Sequence, residues 1–212
     1  GDFDLVLTAA EISADIKGFE QRKKESEAKG RLRGLGLCYY IESILGDPSE
    51  EAKVVFEEDG SVKIFVGTQS NGQGHETVFA QFLSDQTGIP TEKIIVVQGD
   101  SDLIPRGGGT GGSRSVTVQN NATLATVEKI IQSFSQYLSE KLEIDVEDIG
   151  FDDTSFRIKG SNYSPNALEV AKMACEDHRF DLLKHSAKAT LDARSFPNGA
   201  HFAEVEVDPE TG

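Results

Sequence analysis

Five of the six residues from Gly107 to Gly112 are glycine, and the run passes through Ser113, Arg114 and Ser115 into helix-like sequence. Glycine gives up more backbone freedom on folding than any other residue. A run of this kind is costly unless the chain needs positive φ or a close approach there. A second glycine-rich turn, Ser70-Asn71-Gly72-Gln73-Gly74, stands in the same relation to a helical stretch from about His75 to Thr87. β-like sequence precedes each loop: Val62, Ile64 and Val66 alternate before the first, and Ile94 to Val97 form an apolar run before the second. Strand, loop and helix in this order describe an α/β unit.

The remaining sequence fits around that unit. Residues 3–29 read as helix in two pieces, stopped at Gly30. Leu32 to Leu45 is β-like, and Val54-Val55-Phe56, Asp59-Gly60 and Val62 onward spell a hairpin. The helix after the second loop runs to about Leu142, with Leu124, Val127, Ile130, Ile131, Phe134 and Leu138 on its core face. Short strands are expected near Phe151 and Phe156. Ser164-Pro165 reads as a helix start, Ser as N-cap and Pro at the first helical position, with an end near Glu176. Ala203, Val205 and Val207 alternate with Glu204, Glu206 and Asp208, as in a strand with its apolar face buried and its glutamates in solvent. The expected class is α+β: mixed β-sheets with packed helices. It divides into a helical lead-in and first strand (1–45), an α/β unit with both glycine-rich loops (46–145), and a strand–helix–strand segment ending at a truncated hairpin (146–212). The start, Gly1-Asp2-Phe3-Asp4, lacks Met, so a processed or cloned start is expected.

Composition narrows the function classes. The 212 residues carry a formal net charge of -15, which repels phosphate backbones and argues against general nucleic-acid binding. No apolar run approaches the roughly 18 residues of a membrane span. Cys38 and Cys175 lack metal or disulfide spacing and are read as buried small hydrophobes, which fits a cytoplasmic protein.

Both loops have the makings of an anion cradle. A helix start presents unpaired N–H groups and a partial positive charge, and glycine lets a ligand come close. Gln73 adds an amide, Ser113 and Ser115 hydroxyls, and Arg114 a charged fork. Neither loop is a Walker A or dinucleotide fingerprint. His75 reads as a helix-start residue contacting solvent or ligand rather than a metal ligand. Asp100 and Asp102 read as a solvated loop pair, with magnesium as the alternative. A stand-alone nucleotide- or phosphate-binding module and a structural interaction domain both remain open on the residues alone.

Val66-Gly67-Thr68-Gln69-Ser70-Asn71-Gly72-Gln73-Gly74-His75-Glu76-Thr77 resembles the Gly-Gln-Gly cofactor loop of the molybdenum hydroxylases, the family of xanthine dehydrogenase, aldehyde oxidase and aerobic carbon monoxide dehydrogenase. Gly99-Asp100-Ser101-Asp102 through Pro105, with Gly109 to Ser115, resembles that family's second cofactor loop. Gly30 to Gly36, Pro197 to His201 and Glu204 to Gly212 resemble further family segments, so the likeness runs the length of the chain. It implies a pterin-held molybdenum, commonly as the cytosine dinucleotide, with Asn71, Gly72, Gln73, Gly74 and His75 on the pterin and metal side. Gly112, Ser113, Arg114 and Ser115 would hold pterin and phosphate. It also implies that the chain is a portion of a large subunit, with the rest of that subunit and iron–sulfur and flavin subunits or domains as partners. The family's general base lies in a Gly-x-Gly-Glu segment that these residues do not contain, so no catalytic residue and no protein metal ligand is assigned. The chain alone is expected to fold, to carry no cofactor and to be inactive.

Overall fold

A computed structural model describes residues 2–212, and the chain divides into two compact units: Gly1–Ile44 with Ser195–Gly212, and Leu45–Arg194. The α+β class is as expected, and the last strand joins the first unit rather than the segment before it.

In the first unit, α1 (Phe3–Ser13) and α2 (Phe19–Glu27) accompany a two-stranded ribbon of β1 (Leu32–Ile41) and β8 (Asn198–Val207). The strands pair antiparallel along their full lengths, from Leu32 opposite Val207 to Ile41 opposite Asn198. One edge of β8 is thus taken by β1, from the other end of the chain. Its faces are also inverted relative to expectation: Val205 is 58% exposed, whereas the side chains of Glu204 and Glu206 are mostly covered. The cause lies on α2 and β1. Glu204 accepts from Arg22 (2.7 Å) and Arg33 (2.6 Å), and Glu206 from Arg31 (2.8 Å) and Arg33 (2.9 Å). Three guanidinium groups thus fasten the helix and the ribbon together. Cys38, expected in the interior, is exposed on β1, because strand alternation puts it on the face opposite Arg33 and Leu35.

This cluster sets an acid limit on the first unit. Glu204 is drawn down to about 2, chiefly by Arg22 and then Arg33. Glu206 reaches about 2 through the Ser26 hydroxyl, Arg31 and Arg33. Carboxylates depressed in the folded state stabilise it fully above their ordinary pKa, near 4.5, and lose that contribution as pH falls toward 2. In the second unit His185 is buried, its Nε2 2.8 Å from the Leu182 carbonyl, and burial lowers its pKa from 6.5. Protonation then favours the unfolded chain, so this contribution declines once pH drops below about 6.5. Amide protection factors corrected for intrinsic exchange should therefore weaken at 184–190 at mildly acidic pH and hold at 198–207 until pH 4.5. Simultaneous loss in both segments would contradict the assignment.

The second unit is built on a mixed sheet, β4-β3-β2-β7, of β2 (Ser49–Phe56), β3 (Val62–Val66), β4 (Ile94–Val97) and β7 (Lys184–Thr190). The β2–β3 hairpin is antiparallel as expected. β3 and β4 are parallel, joined through α3 (His75–Thr87), the right length for a crossover. Helix α4 (Ser115–Leu142) lies across β2 and β7 and beside α3. Val54, Ile64, Phe79, Ile130, Phe134 and Leu138 meet in the core. Leu124, expected there, is 38% exposed, while Thr123 and Thr126 take the buried positions and bond back to carbonyls of their own helix. The small hairpin β5 (Ile149–Phe151) and β6 (Phe156–Ile158) precedes α5 (Ala167–Glu176). That helix starts two residues after the expected Pro165. Its N-cap is Asn166, whose side chain accepts from the Glu169 N–H while Glu169 accepts from the Asn166 N–H. A reciprocal box satisfies two orphan donors, where a Ser164 cap would satisfy one. Cys175 of α5 is half-buried against the core.

Candidate functional site

The first glycine-rich loop leaves the buried end of β3 and is held at its root by one side chain. Gln119 of α4, fully buried, accepts from the Gly67 N–H (3.0 Å) and from the Thr68 hydroxyl (3.3 Å), and donates to the Glu51 carbonyl (3.1 Å). Beyond this root, Asn71, Gly72 and Gln73 are exposed. The Gln73 carbonyl oxygen accepts from the Asn71 N–H (2.5 Å), which braces the turn. Its amide NH2 has no partner in the chain among the described residues and is exposed. His75 corrects its reading as a solvent- or ligand-facing residue. It is 1% exposed, its Nδ1 3.3 Å from the Thr68 carbonyl and its ring 4.9 Å from Phe79. His75, Phe79 and Leu83 are all buried, and their spacing of four puts them on one stripe of α3.

Arg114 differs from the expected charged fork for an anion: it is 3% exposed, and every N–H of its guanidinium has an acceptor inside the chain. Nε donates to the Asp47 carbonyl (2.9 Å), Nη1 to the Gly109 carbonyl (2.6 Å) and Nη2 to the Ser49 carbonyl (2.8 Å). Both terminal nitrogens also reach Glu50 Oε2 at 3.2 Å, and Glu50 is itself buried. The same carboxylate oxygen accepts from the Gly108 N–H (2.9 Å). The ion pair thus shapes the second loop from beneath. Ser115 is buried as well, donating to the Thr110 hydroxyl (3.1 Å). Gly112 and Ser113 remain exposed, both in the left-handed region, at φ 59° and 55°.

The two loops meet. The Gly109 N–H donates to the Gly67 carbonyl (3.2 Å), and the Thr110 hydroxyl donates to the Gln69 carbonyl. Gly67 and Gly107 pack backbone to backbone: a Cβ on Gly107 would stand 2.5 Å from the Gly67 oxygen. The loops therefore form one wall from which both α3 and α4 begin. Neither helix has a side-chain N-cap, whereas α1 is capped by Asp2 and α5 by Asn166. Two uncapped N-termini on a shared wall offer backbone donors and partial positive charge to an extended anionic ligand. Asp100 takes no part in it. Its carboxylate accepts from the Asp102 (2.9 Å) and Leu103 (3.3 Å) N–H groups and closes a turn. No group of three potential metal-ligating side chains occurs among the described residues. Glu50 and Gln119, which position the loops, carry no local signal in the sequence. The positioning pairs Gly67–Gln119 and Glu50–Arg114 are joined only by the fold.

A family model for the molybdopterin cofactor-binding domain matches residues 9–212. The chain belongs to that family. This molybdopterin cofactor-binding domain is 28% identical, over its whole length and 29% of the relative, to the carbon monoxide dehydrogenase large chain of Afipia carboxidovorans. It is 32% identical, over its whole length and 28% of the relative, to the nicotine 6-hydroxylase large subunit of Paenarthrobacter nicotinovorans. In three dimensions it is similar to a crystal structure of a Cu,Mo-CO dehydrogenase, with a TM-score of 0.79 and 28% identity over 98% of this chain and 29% of that one. The domain thus spans less than a third of these relatives.

The wall suits such a cofactor on its own geometry. Gly111 has no positive φ, and nothing lies within 4 Å of where its Cβ would stand. The fold itself does not require a glycine there, and the bare backbone leaves room for a ligand to lie close against it. Gly72, equally open on that side, stands on the exposed rim of the first loop.

Proposed function

We propose that the domain supplies two cofactor-holding loops to the large subunit of a molybdenum-dependent dehydrogenase or hydroxylase, similar to carbon monoxide dehydrogenase or xanthine dehydrogenase. The observation that carries this reading is the joining of both loops at Gly67, Gly107 and Gly109 beneath two uncapped helix starts. Asn71, Gly72 and Gly74 would present backbone to the pterin, and the Gln73 amide would donate to it or to the metal side. Gly112 and Ser113 would hold the phosphate part, in the cytosine dinucleotide form, with the first-turn N–H groups of α4 at Ser115. His75 and Arg114 would act through the fold as positioning residues. When bound, the group supplies two-electron oxidation chemistry. The chain's own part is to orient it, to keep its phosphates on backbone donors and to leave the reacting side to other segments of the subunit, where the base would lie. Iron–sulfur and flavin subunits or domains would carry electrons away in a cytoplasmic assembly. No helix of the described residues is long and apolar enough to cross a membrane.

Gln73 tests the reading, because its two ends do different jobs. In the intact enzyme, Gln73→Ala should reduce molybdenum per polypeptide and turnover, as losing one ligand-facing hydrogen bond costs about 1–3 kcal/mol. Gln73→Glu keeps an oxygen for the Asn71 N–H but removes the amide donor, and should be equally impaired. Normal molybdenum content in Gln73→Glu would reduce Gln73 to a brace within its loop and remove it from the ligand contacts.

A further inference from the structure

At the end of the sheet remote from the cofactor loops, a groove of about 520 Å³ lies between the β2–β3 turn and α5. Its floor is apolar. Phe56, at the end of β2, and Leu183 are buried side chains that form one wall, and Leu168, Ala171 and Cys175 form the other. The last three recur at three and four residues, so they make a stripe along α5 beside the stripe that faces the core. The rim is acidic: Glu57, Glu58, Asp59, Glu169 and Glu176, five carboxylates against the two ammonium groups of Lys93 and Lys172. Several of these acids have local tasks. Glu57 pairs with Lys63 (2.9 Å), Asp59 closes the hairpin turn with Ser61, and Glu169 completes the cap of α5. Glu58 and Glu176 are exposed at the two sides of the opening, Glu176 in a long 4.0 Å pair with Lys172.

We propose that this groove receives a segment of a partner polypeptide in which one or two bulky apolar residues are flanked by Lys or Arg. An apolar floor rewards burial of a side chain, at about 25 cal/mol per Å² removed from water, while the carboxylate rim selects positive flanks and repels acidic ones. The volume suits two or three side chains. The excess of carboxylates disfavours a phosphate-bearing ligand, and the apolar floor offers nothing to a bare cation. Because the hairpin turn and the cofactor loops lie at opposite ends of β2 and β3, a partner could dock here without touching the wall that holds the cofactor. The proposal is independent of the cofactor reading.

A capped synthetic hexapeptide, Lys-Arg-Leu-Leu-Lys-Arg, is a suitable probe, titrated into isotopically labelled chain and followed by amide chemical shifts. Two controls accompany it, one with glycines in place of the leucines and one with glutamates in place of the basic residues. Shifts should be confined to residues 56–61, Lys93, residues 166–176 and Leu183. The leucine peptide should bind roughly tenfold more tightly than either control, about 1.4 kcal/mol. The charge reversals Glu58→Lys and Glu176→Lys, both at exposed positions, should together weaken it about tenfold with an unchanged spectrum elsewhere. Alkylation of Cys175 should slow in the presence of the peptide while that of exposed Cys38 does not. Equal binding of the glycine peptide would reduce the effect to general attraction by a protein of charge -15 and overturn the proposal. Shifts scattered over the surface, or no binding at about 1 mM, would do the same.

Discussion

Arg114→Ala is expected to cost about 3–5 kcal/mol of stability, a large part of the margin of an ordinary domain. Glu50 is 4% exposed, and removing the guanidinium leaves its carboxylate buried without a counter-charge. The Asp47, Ser49 and Gly109 carbonyls lose their donors in the same step. Arg114→Lys should rescue little, because one ammonium has three donors from a single point and cannot reproduce a planar fork. The double variant Glu50→Leu/Arg114→Met should recover part of the loss, since a buried ion pair can often be exchanged for apolar contact. It should not recover all of it, because the three carbonyls and the Gly108 N–H stay unpaired. Denaturant unfolding of the four proteins measures this directly. A loss below about 1 kcal/mol in Arg114→Ala, the range of exposed pairs, would mean that the pair is effectively hydrated.

Two glycines of one run should give opposite results. Gly107→Ala puts a Cβ 2.5 Å from the Gly67 oxygen and 2.6 Å from its Cα, so backbone must move and the joint between the loops opens. Overpacking of this kind costs about 1–3 kcal/mol. Gly111→Ala meets no atom within 4 Å, and should leave stability unchanged or raise it by about 0.4–1 kcal/mol through the unfolded chain. In the intact enzyme both should lower molybdenum content, the first by displacing the wall and the second by standing between it and the ligand. Stability and metal content measured together separate the two causes. A Gly111→Ala protein that is stable and fully loaded would show that no ligand backs onto that residue.

Local patterns were legible in the sequence wherever the information was local. α3 and β4 have the bounds that the apolar pattern suggests, and both glycine loops stand at helix starts. The start of α5 was legible too, but the stronger signal was Asn166 with Glu169, not Ser164-Pro165. What could not be read depends on residues brought together from far apart. Arg114 looks like a ligand-binding arginine until Glu50 is placed beneath it. Glu204 and Glu206 look solvated until Arg22, Arg31 and Arg33 arrive from the other end of the chain. Leu124 looks like core because a helix in a two-layer unit buries only one side, and periodicity alone does not fix where that stripe ends.

The discontinuity of the first unit bears on the order of folding. β1 and β8 pair residue for residue, yet all of residues 45–194 lie between them. Joining ends across so long a loop is slow and entropically costly while the intervening chain is unstructured. Once residues 45–194 have folded, that loop is short. β2 and β7 pair Ser49 with Thr190, and the Leu191 N–H donates to the Pro48 carbonyl (3.0 Å), so the two points where the chain leaves the sheet are neighbours. The inserted sheet therefore acts as a clamp that delivers β1 and β8 to each other. During synthesis from the N-terminus, β1 emerges well before β8, and its exposed Leu32, Leu37 and Ile41 stay open to wrong partners until β8 reaches them.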